Sequence, residues 1–302
     1  MIGDEMTGYE ALCTRAAWID LSSRGKIKLT GEDRARLLHA MTTNHIQQLA
    51  PGQGCYAFFL NDKGRVLADA NILCRPEYFL LDVEPEARET LYQHLDHYII
   101  ADDVTLEDLT ASTATIAVEG PDAAAVLKRA GAPAPEADYS SADWNSFLVA
   151  RLNSTGSAGF FIFMPVAEKS ALISRLEAAG AEPADAPAAR LVRLEHGRPR
   201  FGEDITDRFL AQEANQPQAL HFNKGCYLGQ EIVERVRSRG QIHRVLKPVS
   251  LEGTEPPAPG TKLENATEIT SAEYSPALKK VVALGYVRTA GSVPAVEHLR
   301  NG

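Results

Sequence analysis

The sequence predicts an α+β protein of two or three domains, and three observations predict it. Residues 49 to 111 read β-β-β-α-β, a compact mixed unit. Short apolar strands then alternate with helices of 3.6-residue periodicity up to about residue 239. From about Gly240 the pattern changes to short strands between turns, with three prolines and two glycines in Glu252–Gly260, the mark of a small all-β terminal domain. The chain has 302 residues, and at roughly 100–150 residues per domain this length suits such a division. Hydrophobic residues at 44% provide a sizeable core without a disulfide or metal staple.

Taken in order, Ala17–Ser22 and Lys26–Thr30 read as short strands joined by a turn at Arg24–Gly25. A helix follows from Gly31, with Leu37, Leu38 and Met41 at helical spacing. Pro51, Gly52 and Gly54 break the chain before the apolar strand Cys55–Leu60. Asn61-Asp62-Lys63-Gly64 has hairpin-turn chemistry, and Val66–Leu73 returns. Tyr78–Val83 is a further strand. Glu84–Tyr98 is a helix with Pro85 in its first turn, and Val104–Leu109 alternates like a strand. Thr115–Val118 is a strand and Gly120-Pro121-Asp122 opens a helix to about Arg129. The Ala-, Pro- and Ser-rich Ala130–Asn145 reads as a surface loop. Phe147–Leu152 and Phe160–Met164 are strands; Ala167–Ala179 and Ala188–His196 are helices. In the tail, Val245–Leu251 and Val281–Tyr286 are strands.

A net charge of -9 argues against a nucleic-acid grip over the whole surface. Arg235, Arg237, Arg239, Arg244 and Lys247 form the one local basic run, which reads first as a solvated face. Cys13, Cys55, Cys74 and Cys226 have neither C-x-x-C spacing nor a disulfide framework. Free thiols in a reducing, cytoplasmic setting are expected, with no self-contained metal site. Met1–Glu10 carries acids and no basic residue, unlike a signal or transit peptide, and no apolar run approaches a membrane span. There is no G-x-G-x-x-G after a strand, no P-loop and no H-E-x-x-H. His94 and His97 lie three apart on a helix with no acid or cysteine to complete a metal site, and read as surface or packing residues.

The informative segment is Lys224-Gly225-Cys226-Tyr227-Leu228-Gly229-Gln230-Glu231, a glycine-punctuated turn opening an amphipathic helix from Gln230 to Arg239, with Gly240 past its end. In an extended segment Lys224 and Cys226 share one face. An ammonium beside the thiol and a helix N-terminus ahead of it would favour a thiolate. The alternative is a buried cysteine in a tight turn beside a solvated lysine.

This segment resembles the K-G-C-Y-x-G-Q-E signature of the YgfZ family without a mismatch. Leu194-Glu195-His196-Gly197-Arg198-Pro199-Arg200-Phe201-Gly202 resembles the stretch that precedes it there and in T-proteins, the aminomethyltransferases of glycine cleavage. Leu29–Arg34, Thr43-Asn44, Pro51–Tyr56 and Leu60–Arg65 look like the family's N-terminal half, so the resemblance spans about residues 20 to 290.

The resemblance implies a three-domain, T-protein-like ring: a discontinuous folate-binding α+β domain (1–48 and 112–238), an inserted α+β domain (49–111) and a small C-terminal β-barrel (239–302). It implies binding of tetrahydrofolate or a one-carbon derivative, with no permanent metal. A reduced folate needs a carboxylate for its pterin N–H donors, aromatic walls and a cation for its glutamate tail. Glu195 looks like the pterin carboxylate; the alternative is a surface helix residue paired with an arginine. Tyr56 and Tyr227 are candidate walls, and Lys224, Arg198 or Arg235 candidate cations. Lys224, Cys226 and Asp69 are the candidate catalytic residues.

Two departures count against glycine-cleavage chemistry. The adjacent aspartates of T-proteins appear as Ala68-Asp69, with Arg65 in place of a glycine. Thr155-Gly156-Ser157-Ala158-Gly159 lacks the T-protein glutamate. Asp69 or Asp62 would have to compensate. The resemblance therefore implies an accessory factor in assembly or repair of iron–sulfur clusters, including those of tRNA-modifying enzymes. Cys226 would contact sulfur or cluster, and client or assembly proteins would supply the other ligands. No stable nucleic-acid or membrane partner is expected. The alternatives are a folate-dependent aminomethyl, methyl or formyl transferase and a purely structural interaction protein.

Overall fold

The computed structural model describes residues 6–239, 242–264 and 266–289. Helix α1 (Tyr9–Thr14) precedes a six-stranded sheet ordered β11-β1-β7-β10-β9-β8. Its strands are β1 (Ala17–Asp20), β7 (Thr113–Glu119), β8 (Ser141–Trp144), β9 (Phe147–Ala150), β10 (Gly159–Pro165) and β11 (Glu182–Pro183). Both faces are covered. Ile116, Val118, Phe160 and Ile162 pack with Leu172 and Leu176 of α5 (Lys169–Ala178) and with α4 (Ala123–Arg129). Ala117, Phe161 and Phe163 face Leu12 of α1 and Ala188 and Val192 of α6 (Ala186–Glu195). Burial on both faces is why Phe160–Met164 reads as a continuous apolar run.

A second, five-stranded antiparallel sheet is ordered β3-β4-β5-β2-β6: β2 (Gly25–Thr30), β3 (Gly54–Leu60), β4 (Val66–Cys74), β5 (Phe79–Val83) and β6 (Thr105–Asp108). Its core also takes in α2 (Arg34–Met41) and α3 (Arg88–Tyr98). The β-β-β-α-β order expected for 49–111 is present as β3-β4-β5-α3-β6. The sheet nevertheless begins before residue 49. β2 pairs with β5 on one edge and β6 on the other, while β1 is paired with β7 and β11. With every edge of both strands taken, the Arg24–Gly25 turn carries the chain from one sheet to the other and does not close a hairpin.

The tail forms a three-stranded antiparallel sheet, β12 (Arg244–Leu251), β14 (Lys280–Arg288) and β13 (Glu268–Ser275), among the described residues, where a barrel was expected. Leu246, Val282, Leu284 and Tyr286 join the core of the five-stranded sheet. Two strands were expected. The third, Glu-Ile-Thr-Ser-Ala-Glu-Tyr-Ser, is too polar to announce itself by hydrophobicity. Strand β8 lies within the stretch expected to be a loop. Helix α7 (Gln230–Arg239) has the expected bounds, and Gly240 lies outside the described residues. Among those residues no helix is long and apolar enough to cross a membrane.

Candidate functional site

A cavity of about 730 Å³ opens between the two larger sheets. β1 and β10 wall one side, β3 and β4 the other, and the segment following α6 closes it. On β4 the two-residue period sends Val66, Ala68, Ala70 and Ile72 into the core and Asp69 and Asn71 into the cavity. On β3, Tyr56 faces the same way, diagonal to Asp69 across the ladder. Its hydroxyl donates to Asp69 Oδ2 at 2.6 Å. Burial pushes the Asp69 carboxyl up to about 6, despite the opposing hydrogen bond from Tyr56; the Glu84 carboxylate raises it further, while Arg24 and Arg198 lower it. Asp69 thus changes protonation close to neutral pH, as a proton-handling group must.

The wall behind Asp69 is a charge network. Arg24 grips Asp82 through two hydrogen bonds of 2.8 Å and also pairs with Glu84. Asn71 Nδ2 donates to Asp82 at 2.8 Å, and Arg200 pairs with Glu84 at 2.9 Å. Glu119, fully buried at the end of β7, accepts from the backbone N–H groups of Ser154 (2.6 Å) and Thr155 (2.9 Å) and from both hydroxyls. It fixes the loop that carries Asn153 and Ser154 into the cavity. Neither Asp82 nor Glu119 was expected at a site. The available signal was a lone acid in an otherwise apolar strand, Phe-Leu-Leu-Asp-Val and Thr-Ala-Thr-Ile-Ala-Val-Glu.

Of the residues singled out by sequence, Tyr56, Asp69 and Arg198 meet in the cavity. Glu195 is not part of its lining. It ends α6 on the side facing α1, where it accepts from Tyr9 (2.8 and 3.1 Å) and from Ser275 (2.5 Å). α6 presents Arg190 and Arg193 to the cavity instead. Asp62 is exposed in the hairpin turn.

Lys224 and Cys226 lie in different environments. Lys224 is buried and its Nζ donates to the carbonyls of His39 and Thr42 at 2.5 Å, closing the C-terminal end of α2. Cys226 is exposed. The segment is not part of a strand, so residues two apart need not share a face. Tyr227 packs on the core with its ring 4.6 Å from Lys224 Nζ, and Arg235 is exposed on α7. Burial lowers Lys224 to about 7. Gly229, with φ of 83°, opens α7 against Asn61 O, where a Cβ would approach to 2.7 Å.

Beside Lys224 three imidazoles stack edge to face, His39–His45 at 4.6 Å and His45–His221 at 5.2 Å, each with a buried and unpartnered Nδ1. Burial and then Lys224 hold His39 down at about 4. The unfolded chain therefore takes up this proton first. The stability that His39 contributes is complete above about pH 6.5 and is lost as pH falls toward 4. Between pH 7.5 and 4.5, His39→Gln should lose on the order of 2 kcal/mol less stability than the wild-type protein in chemical denaturation. The same loss in the variant would refute the assignment. Among the described residues no group of three or more His, Cys, Asp or Glu side chains is placed to hold a metal ion.

A mixed sheet and an antiparallel one enclosing a cavity of about 730 Å³, with a titratable carboxyl in its lining, define an α+β cavity protein of the T-protein type. The chain belongs to the GCVT N-terminal domain family, whose profile matches residues 5–224. It is 32% identical over 294 residues to an aminomethyltransferase of Rubrobacter xylanophilus, covering 92% of this chain and 78% of that one. It is 29% identical over 322 residues to an aminomethyltransferase of Streptomyces coelicolor, covering 98% and 84%. The fold matches the crystal structure of the glycine cleavage system aminomethyltransferase T from Bartonella henselae with a TM-score of 0.84 at 22% identity, covering 93% of this chain and 80% of that one.

Proposed function

We propose that the protein binds tetrahydrofolate, or a one-carbon derivative, in the central cavity and serves as an accessory factor in assembly or repair of iron–sulfur clusters in client enzymes, tRNA-modifying ones included. The observation that carries the folate reading is the hydrogen-bonded Tyr56–Asp69 pair in the lining of a cavity of about 730 Å³. That volume lies within the roughly 300–1,000 Å³ usual for small-molecule sites. The donor set fits a reduced folate. Asp69 is an acceptor for pterin N–H groups, Tyr56 and Phe161 are aromatic walls, and Arg198 is a cation. The folate when bound would supply a one-carbon carrier. Tyr56 and Asp69 would orient it and hold a proton at Oδ2.

The accessory role draws on Cys226, an exposed thiol on a loop outside the cavity lining. One thiol cannot hold a cluster, so a client must supply the remaining ligands. The same reading sets the protein in the cytoplasm, where Cys13, Cys55, Cys74 and Cys226 stay reduced. Asp69 favours a second reading, a folate-dependent one-carbon transferase, because a carboxyl poised near neutrality can relieve a reacting nitrogen of its proton.

Excess tetrahydrofolate at about 100 times its dissociation constant should add roughly 2.7 kcal/mol to stability in thermal unfolding. Cys226→Ser should keep that shift and lose support of client-enzyme activity. No shift at saturating folate would remove the folate reading. Full client support by Cys226→Ser would remove the role of the thiol, and turnover of a one-carbon folate would select the transferase.

A further inference from the structure

Five arginines line the cavity: Arg24, Arg190, Arg193, Arg198 and Arg200. Four are committed to carboxylates. Arg24 holds Asp82 and Glu84, Arg190 holds Glu203 and Glu273, Arg193 holds Glu203 and Asp204, and Arg200 holds Glu84 and Glu86. Among the described residues the Arg198 side chain has neither an ion pair nor a hydrogen bond, although its charge is felt at Tyr56, Asp69 and Tyr139. A guanidinium that faces a cavity, in a wall where every other one is matched, lacks an anion.

Tyr139 is the second unmatched group. It lines the same cavity, and its hydroxyl has no hydrogen-bond partner among the described residues, whereas that of Tyr56 is given to Asp69. Its backbone sits at φ 61°, a conformation that bulky side chains rarely adopt. The strain is held in place from both sides. Tyr139 N donates to Arg151 O at 3.1 Å, and Tyr139 O lies where a Cβ on residue 54 would come within 2.7 Å, so the close approach requires Gly54. Strain kept in a cavity wall points to a side chain that must be where it is. Burial raises the Tyr139 phenol, which keeps its proton available as a donor.

The geometry points to a carboxylate subsite formed by Arg198 and Tyr139 beside Asp69. A guanidinium fork and a phenol O–H are donors only toward such a guest, and two donor groups match the two oxygens of a carboxylate. A monoanion also suits the place better than a dianion, because Asp69 lies within electrostatic reach of Arg198 and Asp138 within reach of Tyr139. The carboxylate has two sources, the glutamate tail of a folate or a separate small carboxylic or amino acid bound next to the reacting centre. The inference rests on the folate reading of the cavity only for its first source.

The test is calorimetric titration of the full-length protein, Arg198→Gln and Tyr139→Phe with four probes: tetrahydrofolate, tetrahydropteroate (which lacks the glutamate), free glutamate and glycine. Neither substitution strips a protein group of its partner, and circular dichroism checks the fold. If the tail is the guest, Arg198→Gln weakens tetrahydrofolate roughly 10- to 100-fold and Tyr139→Phe about threefold to tenfold, with tetrahydropteroate unchanged. If a separate acid is the guest, tetrahydrofolate is unaffected and saturable binding of glutamate or glycine is lost in both variants. Equal weakening of tetrahydrofolate and tetrahydropteroate overturns the proposal, and so do affinities that are identical in all three proteins or a wild-type protein that takes up none of the probes. Failure of the folate reading shows separately, as a wild-type protein that binds glutamate or glycine through Arg198 but neither pterin.

Discussion

Asp204→Ala should destabilise the protein by about 3–5 kcal/mol in urea unfolding, among the largest effects of any single side chain. Asp204 is fully buried. Its Oδ2 receives Arg193 at 2.6 Å and the backbone N–H of Arg200 at 3.0 Å. Its Oδ1 receives the hydroxyls of Thr270 at 2.6 Å and Ser271 at 2.5 Å. One carboxylate thus joins α6, the segment after it and β13. The hydroxyl of Tyr286 on β14 adds a bond to the Asp204 carbonyl at 3.1 Å. Removing the carboxylate leaves the largely buried Arg193 charge with Glu203 as its one ion-pair partner and leaves Ser271 without its acceptor. Asp204→Asn keeps one acceptor oxygen and should cost clearly less. Because Arg193 and Glu203 also line the cavity, Asp204→Ala should weaken ligand binding as well. A loss below about 1 kcal/mol would show that the C-terminal sheet is held by apolar packing, not by this carboxylate.

Local patterning exposed most of the fold but only part of the site. The period of two along Val66–Leu73 placed Asp69 opposite Ala68 and Ala70, and the hairpin turn at Asn61–Gly64 set Tyr56 within one diagonal of it. Tyr56 and Asp69 were singled out by the family resemblance, and strand geometry accounts for their meeting because it relates sequence spacing to direction. Lys224 and Cys226, which would share a face in a strand, lie outside any strand and differ in exposure. Lys224 turns inward to the carbonyls of His39 and Thr42 and leaves Cys226 outside. Glu195 shows the helical version. It lies three and four positions beyond Val192 and Leu191, on the buried side of α6, and so meets Tyr9 of α1 while Arg190 and Arg193 reach the cavity. The Asp204–Thr270 and Arg24–Asp82 contacts join residues 66 and 58 positions apart, where no local period carries information. The partition of β1 and β2 between two sheets is of this kind too, decided by which edges other strands had taken.

Asp69→Asn should stabilise the fold at pH 8 while impairing the site. Burial raises the Asp69 carboxyl from 3.8 to about 6, so between those values the folded chain binds more protons than the unfolded one. Stability therefore falls as pH rises through that interval, and the cost of the buried charge is fully present above pH 6. A shift of about two units sets a ceiling near 3 kcal/mol, and a gain of about 1–3 kcal/mol is expected. Asparagine keeps an oxygen for the 2.6 Å hydrogen bond from Tyr56 but carries no charge to bury. The gain should be full at pH 8, about a third of that at pH 4.5, and gone well below pH 3.8, where the carboxyl is neutral in the folded and unfolded chains alike. Equal stability of the two proteins at pH 8, or the same gain at both pH values, would show that Asp69 is not held near neutrality. The functional arm runs the other way. An amide offers a pterin one acceptor where a carboxylate offers two, so tetrahydrofolate affinity should fall roughly tenfold. Any one-carbon transfer that needs a proton acceptor at this oxygen should cease. A buried carboxylate that destabilises the protein is difficult to account for as a packing residue, whereas a group kept for its proton is expected to cost stability.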